Sequence, residues 1–206
     1  MTKIVPVTLK PRQRKNLTTL ADYLESLPED YAHFDMEQYI DHRGGCDLTE
    51  ALDEETQKAL KYDDYCTTTE STVFARSAEQ FLNNCGTVAC ALGHGPSAGI
   101  PLMKKHFGTK KVKGVSVVTN IDFNSYAKLF INDSVLGDEW KFLFSDEWKG
   151  IDDHHWGAAA RIRFLLDKRG LPGDPDPNYA GTLADFEDAM EVYAPYRVDV
   201  RAPVAA

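Results

Sequence analysis

The chain has 206 residues, a hydrophobic fraction of 43%, an aromatic fraction of 11% and a formal charge of −9. Those values exclude a disordered chain and supply enough apolar side chains for a real core. The negative charge argues against broad electrostatic binding to nucleic acid or anionic membrane, and leaves an acidic surface suited to a basic partner or to imitating phosphate charge.

Residues 3–9 alternate weakly and contain Pro6, which fits an edge strand at best. Leu17, Leu20, Ala21, Leu24 and Leu27 fall on one helical arc, with Asn16 as the expected cap and Pro28 as the stop. Phe34, Met36, Tyr39 and Ile40 predict a second short helix over 34–40. From 43 to 71 acidic residues thicken around few apolar ones, which predicts a surface insertion, since a segment that short cannot bury a core. Phe74, Ala78, Phe81 and Leu82 predict a helix from about Ser71, and Asn84 an N-cap for the next segment.

The valine-rich run over 112–118 is the best strand candidate. Tyr126, Leu129 and Phe130 predict a helix capped by Ser125, and Trp140, Leu143 and Phe144 a further short one. Ala158, Ala159, Ile162, Leu165 and Leu166 share one arc of a helix over 156–168, with Arg161 and Arg163 on the remaining faces. Residues 169–179 predict a Pro-rich loop, 182–193 a last helix, 197–201 an edge strand and 203–206 a frayed tail. The expected fold is mainly α (α+β): one domain over 1–206, a compact bundle of short helices with a small β element at 112–118 and N- or C-terminal edge strands.

No stretch approaches the ~18 uninterrupted apolar residues of a membrane span, and residues 1–7 lack the apolar core of a secretory signal. The expected location is therefore the cytoplasm, with Cys46, Cys66, Cys85 and Cys90 as free thiols.

Chemistry concentrates at 83–96, which holds two cysteines and a histidine. On a helix over 85–94, Cys85 and Cys90 point about 140° apart and cannot pair. Thr87, Cys90 and His94 share a face, and Cys90 with His94 at i, i+4 is a spacing that offers two metal ligands. Asp152-Asp153-His154-His155 is the donor cluster that could complete such a site. The simpler reading makes Cys90 a small buried hydrophobe and His94 a partner of the helix dipole, with no metal or cofactor.

A cysteine in a first helical turn also gains thiolate character. Cys85 would then be the nucleophile of a hydrolase, with His154 or His155 as base, oriented by Asp152 or Asp153. This arrangement resembles papain-like and cell-wall-cleaving cysteine hydrolases, although those families place the histidine on a strand. The simpler reading has Asp152 or Asp153 capping a helix, the histidines facing solvent, and Gly86 and Gly93 serving close packing. Trp140, Trp148 and Trp156 recur every eight residues and read as core anchors; Trp148 or Trp156, if partly exposed, would anchor a partner. Gly93, Gly95 and Gly99 match no phosphate-binding pattern.

The run Cys-Gly-Thr-Val-Ala-Cys-Ala-Leu-Gly-His-Gly-Pro over 85–96 resembles a group of small, uncharacterised proteins of tailed bacteriophages and prophage-bearing bacteria. Trp140-Lys141-Phe142-Leu143-Phe144, Ala158-Ala159-Ala160-Arg161-Ile162-Arg163, the opening over 16–21 and Phe34-Asp35-Met36 carry the same resemblance, which excludes 43–83 and the tail after Pro172. It implies a phage-related accessory role in the host cytoplasm and no particular activity. The expected function is non-enzymatic binding of a host or phage macromolecule, with a protein partner, no membrane and no direct nucleic-acid binding. The candidate contact residues are Thr87, Cys90, His94, Trp148 and Trp156.

Overall fold

The computed structural model describes residues 3–36, 41–42, 87–88, 90–112, 115–121, 123–133, 137–174 and 183–199. The fold is mainly α with small antiparallel β elements. Helix α1 (Pro11–Ser26) and helix α4 (His155–Lys168) pack against each other at its centre. Leu17, Leu20, Ala21 and Leu24 of α1 are fully buried, as the 3.6-residue spacing requires. The three leucines alone contribute on the order of 5–9 kcal/mol of gross burial.

Helix α1 starts earlier than its apolar face suggests. Lys10 is the N-cap, Pro11 takes the first helical position, and Lys10 N–H donates to Gln13 Oε1 at 2.9 Å. Asn16 is therefore no cap: it lies inside α1 and its Nδ2 donates to the Leu129 carbonyl. Pro28 disfavours helical backbone at Leu27, which is extended, so the helix stops as expected.

Three shorter helices close the core. Helix α2 (Phe123–Ala127) contains Ser125 within it and not as a cap. Helix α3 (Asp138–Phe144) buries Trp140, Phe142, Leu143 and Phe144, and helix α5 (Phe186–Tyr193) begins at the Asp185 cap, later than the sequence suggests. Strand β1 (Lys3–Pro6) pairs antiparallel with strand β6 (Gly170–Gly173). The first part of the expected 169–179 loop is thus a strand. Arg169 ends α4 in left-handed backbone (φ 53°), and a Cβ at Gly170 would overlap the Val5 carbonyl across the ladder.

The run 112–118 is not one strand. It takes in the end of β4 (Phe107–Val112) and the start of β5 (Val115–Ile121), two antiparallel strands with Val112 paired to Val115. Residues 34–36 are not helical, and 198–199 form a turn where an edge strand is expected. The expected 43–71 insertion, the helix from Ser71, the Asn84 cap and the 203–206 tail lie outside the described residues. No helix among the described residues is long and apolar enough to cross a membrane.

The largest departure is in the cysteine segment. Thr87–Val88 form strand β3, antiparallel to β2 (Asp41–His42), and residues 91–99 are a run of turns. Two β-branched residues favour extended backbone, while Gly93, Gly95, Pro96 and Gly99 interrupt helix propagation. The expected helix over 85–94 is absent from its described part, so the angular separation of Cys85 and Cys90 does not follow.

Candidate functional site

The segment 152–155 enters α4 against the loop that follows α1; Asp152 turns toward Tyr193 and Arg197, and the other three side chains turn toward that loop. Asp152 is buried. Its Oδ2 accepts from Tyr193 Oη at 2.7 Å, its Oδ1 accepts from Arg197 Nη1 at 2.7 Å, and Arg161 Nη1 lies 3.6 Å away. Gly157 makes room for this carboxylate, since a Cβ there would overlap it. Asp153 reaches the other way: its Oδ1 accepts from Met36 N–H at 2.7 Å. Burial, with Asp35 nearby, raises the Asp153 pKa despite that bond and the charges of Lys149 and Arg161.

His154, not an aspartate, caps α4. Its Nδ1 accepts from Trp156 N–H at 3.1 Å, which in the neutral ring leaves the proton on Nε2, 3.3 Å from the Glu29 carbonyl. His155 is buried, with Nδ1 3.0 Å from the Leu24 carbonyl and Nε2 3.0 Å from the Pro28 carbonyl. It thereby holds the C-terminal end of α1, where carbonyls lack helical partners. A neutral imidazole carries one N–H and donates to one of these oxygens at a time. Burial lowers the His155 pKa, helped by His154 and opposed by the two carbonyls. The expectation that acids cap this helix and both histidines face water is corrected: His155 is interior and Asp152 serves a buried network.

That network centres on Arg161, which is fully buried, its Cζ 4.2 Å above the Trp148 ring. Nη1 donates to Tyr193 Oη at 3.3 Å, and Nε finds no hydrogen-bond partner among the described residues. Trp148 is itself a core residue, its indole N–H shared between the Lys141 and Phe142 carbonyls. It offers no anchor to a partner. Trp156 is half-buried, and its buried Nε1 finds no partner among the described residues.

The second face of the loop is held by the turn segment. His94 is buried, its Nε2 is 3.2 Å from the His33 carbonyl, and its ring stacks on Phe34 at 5.7 Å. Tyr23 and Tyr31 lie beside it, and burial with Tyr23 nearby pushes the Tyr31 pKa up to about 12. Residues 28–36 therefore sit between three histidines, each facing a main-chain carbonyl of that loop. Cys90 is fully buried, and burial pushes its thiol up to about 11 despite neighbouring backbone N–H groups. A thiol held protonated by burial is a poor nucleophile at neutral pH.

Among the described residues no group of three or more His, Cys, Asp or Glu side chains is placed to hold a metal ion. Cys85 lies outside the described residues, as do Cys46 and Cys66, and of Thr87 only the backbone position in β3 is described. The sequence reading misses His33, Tyr193, Arg197 and above all Arg161 as members of these clusters. For Arg161 a signal existed: it stands three residues after Ala158 and four before Leu165, on the core-facing arc. No family model, curated protein or solved structure matches the chain.

Proposed function

We propose that the chain is a non-enzymatic phage or prophage accessory protein that binds a host or phage macromolecule in the bacterial cytoplasm, in counter-defence or host takeover. The observation that carries this reading is the commitment of 152–155. Asp152 holds Tyr193 and Arg197, Asp153 holds Met36 N–H, His154 caps α4, and His155 faces two carbonyls at the end of α1. Groups occupied in this way are poor acid–base catalysts, because a proton transfer would break a contact the fold uses. The resemblance of 85–96 to phage-encoded chains adds the biological setting.

A protein partner suits the outer surface of α5, where Asp185, Glu187, Asp188 and Glu191 are exposed and the last turn has no basic residue. Charge complementarity would steer a basic face toward it. Affinity capture with the tagged chain from host lysate tests the reading. A partner recovered near stoichiometry supports it, and capture of the chain alone from both infected and uninfected lysate counts against it.

A further inference from the structure

The chain is acidic as a whole but not uniformly so. Before Asp22 it carries five cations (Lys3, Lys10, Arg12, Arg14 and Lys15) and no carboxylate, in a protein of formal charge −9. The structure gathers further positive charge at the same end. Gln13 Nε2 donates to the Ile131 carbonyl at 2.5 Å and Asn16 Nδ2 to the Leu129 carbonyl at 2.9 Å, which brings the end of α2, and with it Lys128, against the first turns of α1. On the other flank Arg14 Nη1 donates to the Leu166 carbonyl and Val7 N–H to that of Arg169.

Arg12 and Lys15 are one helical turn apart, on the side of α1 away from buried Leu17, Leu20 and Leu24. Lys10, Arg12, Lys15, Lys128 and Arg169 are all exposed, and none takes part in an ion pair among the described residues. Asp22 and Glu25 pair with Arg163, and Asp167 with Lys168 and Tyr196, while Glu139 and Asp133 keep their charge and accept from Asn132 N–H and Glu139 N–H.

We propose that this basic face, formed by Lys10, Arg12, Lys15 and Lys128, binds the phosphodiester backbone of nucleic acid without reading its sequence. Charge segregation selects a polyanion, and surface composition selects phosphate over protein. The one exposed large hydrophobic side chain among the described residues is Met103, so the face lacks the aromatic or aliphatic anchor of a protein interface. Phosphate contacts need cations alone. The remaining negative charge confines the contact to one face and keeps it weak, so the whole-chain argument against broad binding and this local contact are compatible. The inference is separate from the protein-partner reading: capture from lysate and oligonucleotide binding succeed or fail independently.

The test is fluorescence anisotropy of a labelled 20-base-pair DNA duplex titrated with the full chain at 50 and 200 mM salt, repeated with an RNA duplex. Four phosphate contacts predict a loss of affinity of about 100-fold across that range. The variant Lys10→Gln/Arg12→Gln/Lys15→Gln/Lys128→Gln is expected to lose binding at 50 mM salt, with its far-ultraviolet circular dichroism unchanged. Lys105→Gln/Lys149→Gln, two exposed cations removed elsewhere, is expected to weaken binding less than threefold. Should the fourfold variant misfold, Arg12→Gln/Lys15→Gln is expected to cost at least tenfold and flatten the salt dependence. Similar binding of DNA and RNA duplexes supports a shared backbone contact. No binding at 50 mM salt, equal losses in the patch and control variants, or effective competition by poly-glutamate at matched charge would overturn the proposal.

Discussion

Replacing Asp152 with alanine strips Arg161 of its one ion-pair partner among the described residues. Arg161 is fully buried, and its other polar and ring contacts among the described residues are Tyr193 Oη at 3.3 Å, the Met36 sulfur at 3.9 Å and the Trp148 and Tyr193 rings. Leaving one member of a buried pair uncompensated costs about 3–5 kcal/mol, and the lost Tyr193–carboxylate bond is part of that figure rather than an addition to it. For a chain of this size the fall in Tm is roughly 6–20 °C. Urea unfolding followed by tryptophan fluorescence measures it, with Arg197→Ala as comparison. Arg197 keeps 21% of its side chain exposed, so its removal leaves the buried Arg161–Asp152 pair in place and costs less. A cost for Asp152→Ala below about 1 kcal/mol, typical of an exposed pair, would refute the claim that this carboxylate neutralises an interior cation.

Gly157→Ala places a methyl group against the Asp152 carboxylate and is expected to destabilise by about 1–3 kcal/mol; an unchanged urea midpoint contradicts this packing. His155 titrates below the ordinary histidine value of about 6.5, so just under that value the unfolded chain holds more protons at this residue than the folded one. Its contribution is complete above about pH 6.5 and is lost as pH falls through the window beneath; urea midpoints from pH 8 to 5 should fall less steeply in His155→Gln. Equal slopes would remove His155 from that dependence. Cys90 should resist iodoacetamide in the native protein at pH 7.5 and label in urea. The same mass-spectrometric experiment reads Cys85, where fast selective labelling of the native chain would favour the hydrolase reading over the binding one.

Helices α1 and α4 are legible in the sequence because their apolar residues recur at helical spacing and proline or glycine follows each. What escapes is whatever depends on distant partners. His155 looks solvent-facing because acids precede it, yet its two acceptors, Leu24 and Pro28, lie 131 and 127 residues away. Arg161 is assigned to the polar side by its charge alone, although its position on the arc places it inward. The helix expected over 85–94 gives too much weight to small residues and too little to Thr87 and Val88, whose branched side chains prefer a strand. Treating 112–118 as one strand likewise overlooks Gly114, a residue type of low strand propensity inside the run.

The central claim is that 153–155 fasten the loop after α1 to the start of α4, and so serve the fold and not a reaction. Amide hydrogen exchange tests it most directly. Leu27 and Tyr31 N–H donate to the Leu24 and Pro28 carbonyls that His155 also faces, and Met36 N–H donates to Asp153. In His155→Ala, exchange at Leu27 and Tyr31 should quicken at least tenfold while amides of the β4–β5 hairpin keep their rates. Unchanged exchange at both amides would contradict the account.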